Sequence, residues 1–197
     1  PRTVELANSP SRFGEDRQPG RQYLLVPKVS SQRREYIPIG FVEPTLIVSG
    51  SALVVPGAER YAFGILHSAM HMAWVRQVCG RTKSDYQYSV QVVYNNFPWP
   101  ESPTDEQKQR VEEAAQGVLD ARRQFPDATL ADLYDPLSMP AALRRAHNAL
   151  DRAVDRCYRP QPFPDERRRF EFLFERYERL TAPLTSLPSR KRRARKK

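Results

Sequence analysis

The chain has 197 residues, 40% of them hydrophobic and 28% charged, with a formal net charge of +9, a size that holds one large domain or two small ones. No apolar run approaches the ~18 residues that a membrane span needs, and no signal-peptide pattern is present. The two cysteines, Cys79 and Cys157, stand far apart without metal-ligand spacing, as reduced thiols of a cytoplasmic protein do.

Residues 1–20 are rich in Pro, Gly, Arg and Ser and lack apolar periodicity, so they read as a loop or extended lead-in. The start at Pro1 suggests a piece of a longer protein. Tyr23-Leu24-Leu25-Val26, closed by Pro27, predicts a strand. Residues 29–34 (VSSQRR) are polar and basic, a loop by composition. Residues 36–42 (YIPIGFV) are apolar but interrupted by Pro38 and Gly40, which predicts an edge or bulged strand. Residues 45–48 and 52–55 are two β-rich runs about Ser49-Gly50-Ser51, a hairpin signal.

The period then changes. Tyr61, Ile65, Leu66, Ala69, Met70, Ala73, Trp74 and Val78 recur at threes and fours, predicting one helix over 61–79, buried on more than one side and ended by Gly80. A polar loop, RTKSDYQY, fills 81–88. Residues 88–94 alternate as a strand does, and Phe97-Pro98-Trp99-Pro100 closes the section.

The second half is helical. Thr104 and Gln107 form a capping box ahead of a helix to about Phe125. A helical turn follows Thr129, and Ser138 is placed to cap a helix carrying Leu143, Leu150 and Val154. A last helix covers about 165–180, and short linkers predict a bundle. Beyond Pro183 the chain reads as a disordered polycation, with seven basic residues from Arg190 to Lys197. Residues 1–100 carry 11 basic and 7 acidic side chains and residues 101–189 carry 14 and 16, so the tail supplies most of the excess charge. The expected fold class is α+β: a mixed small β-sheet platform with one central buried helix (1–100), an all-α C-terminal helical bundle (101–183) and a disordered basic tail (184–197).

The sequence has no Gly-rich phosphate loop and no G-x-S-x-G elbow. His67 and His71, four apart on one helix face, have metal-ligand spacing. No third ligand accompanies them, so they read as packed histidines, and neither a catalytic nor a metal site is expected. Binding remains. In an extended segment, side chains two apart point the same way, which would set Lys83 beside Asp85. An ammonium donating to guanine O6 and N7 beside a carboxylate accepting from cytosine N4 suits a G·C pair in the major groove. Arg81, Arg33, Arg34 and Lys28 would contact phosphates, which position without specifying, with Ser84, Tyr86 and Tyr88 as supports. The plain alternative is a surface ion pair contributing at most ~1 kcal/mol.

The run from YIPIGFV through ILHSAMHMAWVRQVCGRTKSDYQYS to VVYNNFPWP resembles the target recognition domain of the MmeI-like (type IIL) enzymes, DNA adenine methyltransferases fused to an endonuclease. LADLYDPLSMPAALRRAHNALDRAVDRCY and RRRFEFLFERYERL resemble that family's C-terminal helical region, and the likeness covers roughly residues 21–183. It implies that Lys83 and Asp85 are base-reading determinants for a G·C pair, and that Ser51 lies near another such position. It also implies that the methyltransferase and nuclease motifs, absent here, belong to a parent enzyme or separate subunit that uses S-adenosylmethionine and Mg²⁺.

The expected function is a non-catalytic DNA recognition module whose partners are double-stranded DNA and the methyltransferase/nuclease portion, in a prokaryotic cytoplasm. A protein–protein assembly module with non-specific DNA contact through the tail is the alternative, and an enzyme with its own active site is a third reading.

Overall fold

The computed structural model describes residues 2–8 and 18–185. Two small antiparallel sheets form the platform. In the first, β1 (Tyr23–Pro27) is central, between β3 (Gly40–Val42) and β4 (Ala52–Pro56). Leu24 lies opposite Phe41 on one side and Val55 on the other. Pro38 lacks an N–H, and the ladder begins only after it. Tyr36, Ile37 and Ile39 are nevertheless buried, so this segment's apolar content enters the core without a strand. The second sheet has the order β2-β6-β5, from β2 (Val29–Ser30), β5 (Gly80–Thr82) and β6 (Asp85–Gln87). The basic VSSQRR segment therefore begins as a strand, and RTKSDYQY is a hairpin rather than a free loop.

Several expectations are corrected. Part of the lead-in is a short helix, α1 (Arg2–Ala7). Residues 45–48 form no strand, because β4 pairs with β1 instead; Leu46 and Ile47 are 60% and 75% exposed, and the Leu46 carbonyl accepts from the Tyr23 hydroxyl at 2.5 Å. The hairpin expected about Ser51 is thus absent.

The single helix expected over 61–79 is two, α2 (Arg60–Leu66) and α3 (Ala69–Val78). The break is bonded on both sides. Ser68 Oγ accepts from the His71 N–H and donates to the Ile65 carbonyl at 2.7 Å, and the Asp151 carboxylate accepts the Ala69 N–H at 2.7 Å. Residues expected as a strand at 88–94 instead hold a π-helical turn, Val90–Tyr94. Ser89 Oγ accepts from the Val92 N–H, Trp74 Nε1 donates to the Val93 carbonyl, and Asn96 Nδ2 donates to the Gln91 and Val92 carbonyls, so the wide turn's polar groups are satisfied.

The helices follow the expected order. α4 (Asp105–Arg123) opens on the Thr104–Gln107 capping box, and α5 (Leu130–Leu133) on a second box, Thr129–Asp132. α6 (Ala141–Tyr158) starts at Pro140 without a side-chain cap, since the Ser138 hydroxyl donates to the Asp132 carbonyl instead. α7 (Glu166–Thr185) continues past residue 180 through Pro183. The expected disordered tail, from residue 186 on, lies outside the described residues.

Platform and helices share one core. Trp74 of α3 packs on Phe170 and Tyr177 of α7, with ring centroids 6.3 and 5.5 Å away. At Gly64 of α2 a β-carbon would stand 2.7 Å from Val111 Cγ1 and 3.2 Å from Leu150 Cδ1, so the missing side chain is what lets α2 sit against α4 and α6. No helix among the described residues is long and apolar enough to cross a membrane.

Candidate nucleic-acid interface

The β5–β6 hairpin closes on the pair Thr82 and Asp85, leaving a two-residue loop, Lys83-Ser84. Lys83 has φ 57°, and Ser84 is not left-handed. This is the pattern of a type II′ turn, which prefers glycine at its first position. A lysine there costs about 1 kcal/mol of backbone strain. Lys83 lies in the turn and Asp85 opens β6, so the two are not consecutive positions of one extended segment, which corrects the periodicity argument. Lys83 and Ser84 are exposed and Asp85 is half-buried.

The alternation of β6 sorts its side chains. Tyr86 and Tyr88 face inward, each 3% exposed, and Tyr88 Oη lies 2.9 Å from His71 Nε2. They support the hairpin from beneath and present no ring to the surface. Arg81 is also engaged: its guanidinium lies 4.1 Å from the Tyr86 ring centroid and donates to the Ser84 and Arg76 carbonyls, both at 3.1 Å. Arg81 thus braces the turn against the end of α3. On the outer face, Thr82 Oγ1 donates to Gln87 Oε1 at 2.9 Å. Gln87 shares the face of Asp85 one pleat along, an exposed polar residue that the sequence reading passed over. The signal for it was the alternation D-Y-Q-Y, legible once this segment is known to be a strand.

On the other flank of β6, the turn at 31–34 is closed by the Arg34 N–H on the Ser31 carbonyl at 3.1 Å, and the Gln32 N–H points at Asp85 Oδ1 at 3.4 Å. Exposed Arg33 and half-buried Arg34 therefore sit beside the hairpin tip. Lys28 and Ser51 lie toward the other end of the sheet. The Lys28 N–H donates to the Ser51 carbonyl at 3.0 Å, and the Lys28 carbonyl accepts from the Tyr88 N–H at 2.7 Å. Tyr88 is three residues from Asp85, about 10 Å along a strand. The structure thus groups Lys83, Ser84, Asp85, Arg81, Arg33 and Arg34 at one end of a ridge, and Ser51 with Lys28 at the other.

The histidines are occupied elsewhere. His67 packs on the Arg122 guanidinium, whose Nη2 lies 3.0 Å from Nδ1, and His147 Nε2 lies 2.7 Å from Tyr134 Oη. Burial pushes His71 down to about 3. Burial, then the nearby Arg122 charge, does the same to His147. Burial, Arg122 and His147 hold His67 well below the ordinary range. All three are neutral rings of the core at pH 7. Among the described residues, no group of three or more His, Cys, Asp or Glu side chains could hold a metal ion.

Residues 1–101 match the family model described as MmeI, target recognition domain, and residues 103–185 match that described as MmeI, C-terminal domain. The chain is 42% identical over 179 residues to DNA methyltransferase A of Bacillus subtilis (strain 168), covering 91% of this chain and 20% of that protein. It superposes with TM-score 0.84 and 44% identity on the structure of the type IIL restriction-modification enzyme MmeI in complex with DNA, covering 92% of this chain and 24% of that one. The chain therefore spans about a fifth of the curated relative and about a quarter of the solved one.

Proposed function

The chain belongs to the MmeI family of target recognition and C-terminal domains, and on that premise we propose that it reads DNA sequence for a restriction-modification methyltransferase. The observation that carries this is the hairpin tip. A lysine held at φ 57° stands beside a carboxylate, with Arg33 and Arg34 adjacent and two buried tyrosines beneath. A donor and an acceptor two residues apart on one braced turn suit the O6/N7 edge of guanine and the N4 amino group of its cytosine. Lys83 donates, Asp85 accepts, and Arg33 and Arg34 reach phosphates. Gln87 extends the polar face toward neighbouring base pairs, and Ser51 with Lys28 contacts the duplex further along. Arg81, Tyr86 and Tyr88 keep the tip rigid.

Catalysis belongs to the remainder of the parent. Among the described residues no group of three or more His, Cys, Asp or Glu side chains is placed to hold a metal ion, and in this reading S-adenosylmethionine and Mg²⁺ would be held by the remainder of the parent. The test is a selection of bound duplexes from a randomised pool. Lys83→Ala and Asp85→Ala should each relax or change the preference at one base pair, by ~1–3 kcal/mol. Retention of the parental preference in both variants would refute the base-reading role.

One observation favours the assembly reading: Val29, Val90 and Val92 are 54%, 40% and 48% exposed beside the second sheet. Such a patch suits contact with the rest of the parent enzyme, and it is compatible with base reading at the tip.

A further inference from the structure

The helix α6 looks electrically mixed in the sequence, with Arg144, Arg145, Arg152 and Arg156 against Asp151 and Asp155. Folding separates these charges. Both carboxylates turn inward and are 8% and 6% exposed. Asp151 accepts from the Tyr36 hydroxyl and the Ala69 N–H, and Asp155 is held by Arg169 through two bonds of 2.9 and 2.8 Å. Arg144 is paired with Glu35 at 2.5 Å. Arg145, Arg152 and Arg156 remain on the outer face, at helical steps of seven and four. All three are exposed, and among the described residues none of their guanidinium groups has a hydrogen-bond or ion-pair partner.

Beside this face lies an open cavity of about 570 Å³ between α4 and α6, with Ala149 and Ala153 among its lining, Arg110 and Gln107 on the α4 wall, and Arg152 and Arg156 on the α6 wall. Its carboxylate, Glu106, is bonded to Arg110. The groove is therefore cationic.

We infer that the outer face of α6 is a second nucleic-acid contact, a phosphate-backbone surface distinct from the hairpin tip. Charge complementarity selects the occupant. The basic side chains here are all arginines, whose planar forks match phosphate oxygens, and their neighbours are small, so a rigid polyanion can approach closely. The eleven helical steps from Arg145 to Arg156 span about 16 Å, roughly the rise of five base pairs at 3.4 Å each. The surface holds no group placed for base readout and would bind DNA of any sequence. This inference rests on the proposed DNA reading, but it makes a separate demand.

The experiment measures duplex binding by the full chain across a salt series, for the parent protein and the R145A/R152A/R156A variant. Each phosphate neutralised contributes about 0.9 to the slope of log affinity on log salt. The variant should show a slope shallower by about two to three, weaker binding to every duplex alike, and an unchanged base preference. Among the described residues these guanidinium groups make no bond within the fold, and a thermal melt checks that the variant is folded. An unchanged slope and affinity overturns the inference. So does loss of binding to an acidic peptide, poly-glutamate, with DNA binding intact, which would make the face a protein-docking surface. Retention of the parental base preference in both the Lys83→Ala and Asp85→Ala variants, with the α6 slope change still present, would sink the reading function and leave this one standing.

Discussion

Two polar regions of the molecule have opposite characters. At the seam between platform and helices, Tyr36 donates to Asp151 at 2.7 Å and stacks on His147 at a centroid distance of 3.9 Å, while Arg122 bonds Tyr134 and packs on His67. At the hairpin tip, Lys83 is exposed and Asp85 meets only a long contact from the Gln32 N–H. The seam's side chains are buried and bond mostly to one another, joining the platform to the helices. The tip leaves its donors and acceptors for something else to satisfy. Buried polar groups are costly without partners, so side chains that bond mainly to one another in the interior mark structure. A polar cluster left open on a braced support, at a strained backbone position, marks recognition.

The largest effect that would break this comparison is at Asp151. It serves two donors at once, the buried Tyr36 hydroxyl and the partly buried first N–H of α3. Asp151→Ala leaves both unsatisfied and should lower stability by about 3–5 kcal/mol, at ~1–3 kcal/mol for each group, as read by denaturant unfolding. A loss below about 1 kcal/mol would mean the seam is not the structural lock described.

Acid sharpens the same contrast. The buried histidines bind protons less readily folded than unfolded, so their contribution is present above pH ~6.5 and is lost as pH falls toward their depressed folded values. Asp151 runs the other way: burial raises its carboxyl to about 6. The burial cost of its charge is present above that pH and eases as pH drops from about 6 toward the unfolded value. Three histidines outweigh one carboxyl. The unfolding free energy should fall from pH 6.5 to 4.5, by about 1.4 kcal/mol per pH unit for each net proton taken up on unfolding, and the melting temperature should fall with it. A flat or rising profile would show that the rings are already hydrated or charged in the fold.

Much of this was legible in the chain, and the misses have local causes. Both capping boxes are sequence patterns, but only the first was read as one: the Thr129–Asp132 box pairs a threonine with an aspartate, not the more usual Glu or Gln. The β1 and β4 runs are read from composition. The break between α2 and α3 was hidden because apolar periodicity continues through it. What stops the helix is Ser68 with a carboxylate from 82 residues downstream, and no local pattern announces that. Val90–Tyr94 alternates as a strand would, yet the carbonyl of Val93 is claimed by Trp74 and the turn by Ser89 and Asn96. At the interface, the sequence supplied Lys83 and Asp85 but misjudged how they meet. It also offered Arg81 as a phosphate contact where the fold uses it as a brace. The separation of charges on α6 could not be read at all, since it depends on which way two aspartates turn.

The smallest effect discriminates most finely between structure and recognition. If Lys83 occupies φ 57° for the sake of its ammonium, the position is a compromise, and glycine should relieve it. Lys83→Gly should raise stability by about 0.5–1 kcal/mol, because glycine reaches the left-handed region without the clash of a β-carbon. The same substitution should cost the base preference assigned to Lys83, as Lys83→Ala does, while Lys83→Ala gains nothing in stability. A variant that is more stable and less selective is the expected pairing. Equal stability in Gly and Ala variants would show that the turn is unstrained and that the lysine is tolerated there, not selected for what it presents.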